Sequence, residues 1–191
     1  MKPSVFMYCI LCSVVAVPTC MSHVCLLSPP QRGSMVGINK PGAPDCGLKN
    51  ATCGGRAAEA STVILRYRLC RNSIPAYFKP GQNFTVIIQK NLDHFNMSMP
   101  GNFNISLLDE KAMKYTRLGM IPDTSDPSLT LYSAIVKIPD GMAKQAYALQ
   151  VVYNTMDPAP PLFYQCSDVT VATMEDTLQF VPLTRAKPLV V

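Results

Sequence analysis

Short runs of branched and aromatic residues recur along the chain and alternate with turn-forming residues. The clearest runs are 62–69, 83–90, 102–108, 129–138, 147–153 and 163–171. In the third run Phe103, Ile105 and Leu107 occupy every second position, which is the pattern of a strand with one buried face. Short strands separated by Gly, Pro, Asn and Asp favour an antiparallel β-sandwich over a parallel sheet.

The segments between and around these runs predict loops, with two further elements. Residues 23–55 are rich in Pro, Gly and Cys, so we expect a short first strand followed by a long, disulfide-stapled loop. Residues 110–117 are compatible with about one turn of helix. Residues 178–183 predict a last edge strand, because Pro182 is tolerated only at an edge or an end.

The first 22 residues have the pattern of a secretory signal peptide. Lys2 gives a positive start, the apolar run 5–17 is too short to cross a bilayer, and small residues precede a cut before His23. An earlier cut after Ala16 stays open. We expect a signal peptide over 1–22 and a single domain over 23–191, which is long enough for one core.

We expect a secreted, extracellular protein that is a monomer and has no membrane span. No second apolar run reaches the length of about 18 residues that a membrane span requires, so we expect none. The net charge of +5 comes from scattered basic residues. The one tight basic group, Arg66, Arg68 and Arg71, is smaller than a nucleic-acid site normally requires, so we expect no nucleic-acid partner.

The chain has eight cysteines, and three of them precede His23. The five that remain are Cys25, Cys46, Cys53, Cys70 and Cys166. Exported chains form disulfides, and an odd number leaves one cysteine over, for which Cys25 is the natural candidate. Among the other four, we favour a bridge from Cys166 to Cys53 or Cys70, because it would close a long loop.

Four Asn-x-Ser/Thr sequons, at Asn50, Asn83, Asn96 and Asn104, predict N-glycosylation and agree with export. Asn96 lies two residues from His94, one of the two histidines of the chain. A glycan on Asn96 would therefore crowd any site that His94 helps to form.

The two histidines suggest a metal site. A histidine that becomes the first residue of a mature chain, as His23 would, offers both its α-amine and its ring Nδ1 to one ion. His94 would add a third nitrogen from a loop after a strand. Three neutral nitrogens in a T shape suit copper, which prefers imidazole and tetragonal geometry. This arrangement is known as the histidine brace, and it would hold one copper ion.

Asp168 is the next candidate ligand, because it interrupts the mostly apolar run 163–171. A buried carboxylate is costly unless it is paired, hydrogen-bonded or bound to a metal. The alternative is an outward-facing aspartate on a strand. Alternation puts Tyr164 and Cys166 on the same face as Asp168, so Tyr164 is a possible axial group, as is Cys25 if it is a thiol beside the metal.

Several other kinds of site are poorly supported. The sequence has no Gly-x-Ser-x-Gly elbow, no paired Cys-x-x-Cys motifs and no glycine-rich phosphate loop. Thioethers suit Cu(I), but Met97 and Met99 are more simply interpreted as ordinary apolar residues. We therefore assign no catalytic residue.

A set of short motifs occurs in the order found in one group of proteins: His23, residues 28–33, residues 53–55, His94 and residues 164–169. In these the chain resembles the copper-acquisition-factor branch of the lytic polysaccharide monooxygenase-like proteins. The resemblance implies an immunoglobulin-like β-sandwich with one copper ion bound by His23 and His94. It also implies that Asp168, in a Cys-Ser-Asp sequence where the family has Cys-Ala-Asp, lies close to copper.

Three functions follow as hypotheses. The first is a secreted protein that holds one Cu(II) for sequestration, uptake or homeostasis, with a cell-surface copper transporter or a glycan as further partners. An anionic ligand would favour Cu(II), and we lean against an enzyme. The second is a copper-dependent polysaccharide monooxygenase that acts on glycans. The third is a secreted adhesion or recognition domain that binds no metal.

Overall fold

The structure is a computed structural model, and it describes residues 23–58, 76–156 and 162–173. The described part contains eight strands and two short 3-10 turns. The strands are β1 (His23–Ser28), β2 (Ala76–Phe78), β3 (Asn83–Leu92), β4 (Asn102–Asp109), β5 (Lys114–Pro122), β6 (Thr130–Lys137), β7 (Ala146–Asn154) and β8 (Leu162–Val171). The turns are Pro44–Cys46 and Cys53–Gly55.

The strands form two sheets that pack face to face. The smaller sheet has the order β1-β3-β6 and the larger has the order β2-β8-β7-β4-β5. All neighbours are antiparallel except β2 and β8, which are parallel. The predicted all-β, immunoglobulin-like sandwich with disulfides and a long N-terminal loop is confirmed.

The core lies between the two sheets and is built from alternate residues of their strands. The smaller sheet contributes Val24, Leu26, Val86, Ile88 and Val136, and the larger contributes Phe103, Ile105, Leu107, Leu149, Val151, Tyr153, Phe163, Val169 and Val171. All of these side chains are buried. Burying one large apolar side chain stabilises the folded state by about 1.5–3 kcal/mol, and this hydrophobic contribution is the main force that holds the sheets together.

One prediction about secondary structure was wrong, and one strand was not predicted. Residues 110–117 form a tight turn and the start of β5 rather than a turn of helix, because Tyr115 and Thr116 pair with Leu108 and Leu107 of β4. Strand β2, which adds a parallel edge to the larger sheet, was not expected. The predicted strands over 62–69 and 178–183 lie outside the described residues, as do the signal peptide, Cys70 and the arginine group.

In the described segments no helix is long and apolar enough to cross a membrane.

Candidate metal centre

His23 begins β1, and its side chain is buried, with only 2% of its surface exposed. Its ring lies under the loop that follows β1. A Cβ added to Gly47 would overlap ring atoms Nε2 and Cδ2, and one added to Gly42 would lie 3.9 Å from Cε1. The imidazole therefore fills space that two glycines of this loop leave open.

The loop over His23 is anchored to both neighbouring strands. Cys46, directly before Gly47, forms a disulfide with Cys25 of β1, and their Cα atoms are 4.8 Å apart. The backbone N–H of Ala43 donates a hydrogen bond of 2.8 Å to Oδ1 of Asn91, on β3. The cover of the imidazole is thus tied covalently to β1 and by a buried hydrogen bond to β3.

The expectation that Cys25 is the unpaired cysteine was wrong. Strand alternation turns Cys25 away from the core formed by Val24 and Leu26, onto the face that the loop crosses. There it meets Cys46 and cannot be a thiol ligand. The other bridge joins Cys53 to Cys166 and is one of the two that we favoured.

His94 lies at the same end of the sandwich as His23. Leu92 is the cross-strand partner of His23, and His94 follows it by two residues. Paired Cα atoms are about 5.5 Å apart and each further residue spans at most 3.8 Å, so the two histidine Cα atoms lie within about 13 Å. The pairing of β1 with β3 therefore puts the two histidines at the same end of the smaller sheet.

A buried polar cluster supports the loop that carries His94. The side chain of Lys90 is fully buried, and Nζ donates to Oδ1 of Asp93 at 2.8 Å, to Oδ1 of Asp123 at 3.1 Å and to the carbonyl of Thr124 at 2.6 Å. Tyr153 donates a hydrogen bond of 2.6 Å to Oδ2 of Asp123.

The charges of this cluster stabilise one another. Burial alone would lower the pKa of Lys90, but the hydrogen bonds to Asp93 and Asp123 raise it above its ordinary value. Burial likewise acts to raise the pKa of Asp93, and its bonds with Lys90 and the Phe95 backbone lower it. Burial and the bond to Asp123 raise the pKa of Tyr153 far above its usual range. At neutral pH the lysine is charged and the tyrosine is protonated.

Of the two aromatic residues at the start of β8, Phe163 is the one whose ring lies near His23. The ring centroids of Phe163 and His23 are 6.3 Å apart. Phe163 belongs to the core, so its neighbour Tyr164 points to the opposite face of β8. Tyr164 is half-buried, and burial raises its pKa. The sequence analysis considered Tyr164 and not Phe163 as a neighbour of the site, although strand alternation by itself puts the two rings on opposite faces of β8.

Asp168 binds Arg32, a residue that the sequence did not single out. Oδ1 of Asp168 accepts from Nε of Arg32 at 3.0 Å and from its NH2 at 2.7 Å. Glu110 takes the remaining side of the same guanidinium at 2.8 and 2.6 Å. The Arg32 side chain is only 2% exposed, so these carboxylates satisfy a buried cation.

Asp168 is also distant from His23 along β8. It is five residues beyond Phe163, which corresponds to about 17 Å of strand, and it faces the opposite side of the sheet. These positions favour an ion-pair role for Asp168. That it binds the metal stays a prediction.

Within residues 23–58, 76–156 and 162–173, no group of three or more His, Cys, Asp or Glu side chains is placed to hold a metal ion. A histidine brace requires only two side chains, because its third nitrogen is the α-amine that cleavage would create at His23. The donor set at this end of the sandwich is therefore compatible with a brace. Two imidazoles are also the ligand type that copper prefers.

The predicted glycosylation sites all lie within the described residues. Asn50, Asn83 and Asn96 are exposed, while Asn104 is half-buried in β4 and donates a hydrogen bond of 2.6 Å to Oδ1 of Asn102. Met97, next to Asn96, is 85% exposed, so it does not contribute to the core.

No family model matches this sequence, and no curated protein matches it. Among solved structures, the chain is similar to a lytic polysaccharide monooxygenase of Cellvibrio japonicus that is important for utilization of chitin. The two sequences are 17% identical, the match covers 78% of this chain and all of that chain, and the TM-score is 0.41. The chain is also similar to the superoxide reductase (neelaredoxin) of Ignicoccus hospitalis, with 11% identity, a match that covers 51% of this chain and 76% of that chain, and a TM-score of 0.37. T. fusca AA10A is 11% identical over 52% of this chain and 54% of that chain, with a TM-score of 0.35. At these values the likenesses carry no argument about chemistry.

Proposed function

We propose that the mature chain is a secreted protein that begins at His23 and binds one Cu(II) ion through a histidine brace. The observation that carries the proposal is the pairing of β1 with β3, which puts His94 two residues beyond the partner of His23. The chain has only two histidines, and they lie at one end of one sheet. An incidental histidine pair has no reason to share this position.

Each donor has a defined role in this proposal. Cleavage after Ser22 frees the α-amine of His23, which binds the ion together with Nδ1 of the same residue. His94 adds one ring nitrogen from the neighbouring strand end. Bound copper is the cargo of the protein, and the three nitrogens provide the tetragonal donor set that Cu(II) prefers.

We favour a role in copper sequestration, uptake or homeostasis over oxidation of polysaccharides. The imidazole of His23 is buried under the loop that contains Gly42 and Gly47, and Asn96 carries a sequon two residues from His94. Both features restrict the approach of a polymer to the ion. The chain also has no tryptophan to stack on a sugar ring.

The proposal is tested by titrating Cu(II) into the secreted protein and two variants of one loop. His94→Gln should weaken copper binding by at least about 100-fold, since even supporting residues of metal sites typically cost 10- to 100-fold. Asn96→Gln, two residues away, removes the sequon but no donor and should change the dissociation constant less than twofold. Equal binding by wild type and His94→Gln would refute the brace.

The oxidase alternative has a separate test. Incubation of the copper-loaded protein with a reductant and chitin, cellulose or pectin should give no oxidised ends if the protein is a carrier. Product that increases with copper loading would make it a monooxygenase. The adhesion alternative would be left if wild type bound no copper with defined stoichiometry.

A further inference from the structure

We propose that Met97, Met99 and Met156 form a second metal site, which binds one Cu(I) ion through thioether sulfur at the end of the sandwich that carries His94. The site uses none of the nitrogen donors of the brace, so it goes beyond the proposed function and does not depend on it. Thioether sulfur is a soft ligand of the kind that selects Cu(I), whereas Cu(II) prefers the nitrogen donors of the brace.

All three methionines are exposed to solvent. Met97 is 85% exposed, Met99 is 47% exposed and Met156 is 45% exposed. None of them belongs to the hydrophobic clusters of the described strands and loops. Single exposed apolar residues are common on protein surfaces, so the feature that needs an explanation is the position that these three share.

The three residues lie on two loops at one end of the molecule. Two of them belong to the loop between β3 and β4, which also contains His94, and Met156 follows β7. Strand β4 begins where β7 ends, because Asn102 and Asn154 are cross-strand partners. The two loops therefore leave the larger sheet side by side.

Gly101 brings the backbones of these two loops into contact. A Cβ added to Gly101 would overlap the carbonyl oxygen of Asn154 and would lie 3.1 Å from Cα of Thr155. Met99 precedes Gly101 by two residues, and Met156 directly follows Thr155. One backbone contact and three residue-to-residue steps therefore connect the two methionines.

A hydrogen-bonded turn holds Met97 and Met99 close to each other. The backbone N–H of Met99 donates to the carbonyl of Asn96 at 3.1 Å, and the backbone N–H of Ser98 donates to Oδ1 of Asn96 at 2.9 Å. Residues two apart in such a turn have Cα atoms at most about 7.6 Å apart. A methionine side chain has three rotatable bonds, so the two sulfur atoms can converge on one ion.

Met156 has a backbone conformation that residues other than glycine rarely adopt. Its φ is 58°, in the left-handed region, and its N–H donates a hydrogen bond of 3.1 Å to Oδ1 of Asn154. Glycine or asparagine would form the same turn with less strain. Strained residues of this kind concentrate at binding sites, where the side chain is needed despite the cost of the backbone conformation.

The competing explanation is that the three methionines are surface residues without a ligand, and the chain offers a matched control for it. Met113 is 52% exposed and has a φ of 50°, so it resembles Met156 in both respects. It lies in the turn between β4 and β5, at the opposite end of the sandwich. Replacing either methionine with leucine removes one thioether and retains an apolar side chain of similar volume.

The first readout is the nuclear magnetic resonance spectrum of the methionine methyl groups during anaerobic titration of the metal-free protein with Cu(I). The methyl signals of Met97, Met99 and Met156 should shift until one equivalent has been added, because the methyl carbon is bonded to the ligating sulfur. The signal of Met113 should not move. The same titration of His94→Gln removes a donor of the brace and should give the same shifts. Shifts of equal size at Met113, or no shift at the other three, would overturn the proposal.

The second readout is affinity, measured for Cu(I) by competition with a coloured chelator and for Cu(II) by titration. Replacing Met97, Met99 and Met156 together with leucine should raise the Cu(I) dissociation constant at least about tenfold, since even supporting residues of metal sites typically cost 10- to 100-fold. The Cu(II) dissociation constant should stay within about twofold of wild type, and Met113→Leu should change neither constant.

The outcomes separate this proposal from the brace. Unchanged Cu(I) affinity in the triple variant, or an equal loss of Cu(I) and Cu(II) affinity, would overturn the thioether site. Failure of wild type to bind Cu(II), with the methyl shifts present, would instead refute the proposed function and support the thioether site.

Discussion

His23 and Gly47 are packed so closely that ring atoms Nε2 and Cδ2 of the histidine occupy the place of a Cβ at residue 47. The glycine is the residue after Cys46, whose disulfide to Cys25 fixes this part of the loop to the strand that carries the histidine. The covalent staple, the glycine and the imidazole therefore form one continuous contact. Adding a side chain at residue 47 or removing the Cys25–Cys46 disulfide should therefore disturb His23.

Gly47→Ala should destabilise the protein by about 1–3 kcal/mol, the usual cost of overpacking a filled site. Residue 47 has φ −101°, so the backbone tolerates alanine and the effect is steric. Denaturant unfolding measures it, and Gly141→Ala is the control, because a Cβ there meets nothing within 4 Å. We also expect Gly47→Ala to weaken copper binding. Variants of equal stability and affinity would show that the His23 ring moves aside without cost.

The two disulfides should differ in what their loss does. In the chain-entropy model, closing 21 residues stabilises by about 3 kcal/mol and closing 113 residues by about 5 kcal/mol. Replacing Cys53 and Cys166 with alanine should therefore cost more stability, whereas replacing Cys25 and Cys46 should cost more copper affinity. Thermal unfolding and Cu(II) titration of both double variants measure this. If the variant without Cys53 and Cys166 lost more of both stability and copper affinity, the proposed link between the Cys25–Cys46 bridge and His23 would be contradicted.

Asp168→Asn distinguishes an ion pair from a metal ligand. We expect a loss of about 1.5–3 kcal/mol, because a charged hydrogen-bond partner of Arg32 is removed, with an unchanged copper spectrum. Glu110→Gln is the matched control, since Glu110 binds the same guanidinium from its other side. If the spectrum changed in Asp168→Asn and not in Glu110→Gln, the aspartate would be a ligand as the family resemblance implies.

The metal-free protein should lose stability at alkaline pH through Lys90. Its pKa is raised in the folded state, so the stability that it contributes is present below its unfolded pKa of about 10.5 and is lost as pH rises through the folded pKa. The expected slope from this group is about 1.4 kcal/mol per pH unit in that range. Denaturant unfolding between pH 9 and 12 measures it. Lys137→Met, which breaks an exposed ion pair with Asp140, should retain the decline; a flat profile in wild type would contradict it.

Much of the sandwich could be predicted from the sequence, because a strand with one buried face has apolar residues at every second position. The runs that became β3, β4, β6, β7 and β8 were each predicted to within a few residues. The turn before Lys114 and the strand Lys114–Pro122 were mistaken for a turn of helix, because Tyr115 and Met120 are exposed and only Ile121 is buried, so this strand shows no clear alternation. Strand β2 is three residues long, too short for any period to show.

Only the histidines of the candidate site could be predicted from the sequence. The two histidines were found because they are rare, but their proximity required the pairing of β1 with β3. Lys90 shares the inward face of β3 with Val86 and Ile88, so alternation marks it as a buried charge that needs a partner. Arg32 had no such signal: it lies in a loop, and only the fold brings it to Asp168, 136 residues later.

The most direct test of the account is the electron paramagnetic resonance spectrum of the Cu(II)-loaded secreted protein, recorded after mass spectrometry has identified its first residue. The account predicts a chain that begins at His23 and one copper whose nitrogen hyperfine structure loses a nitrogen in His94→Gln. A different first residue, or a spectrum that His94→Gln leaves unchanged, would contradict it.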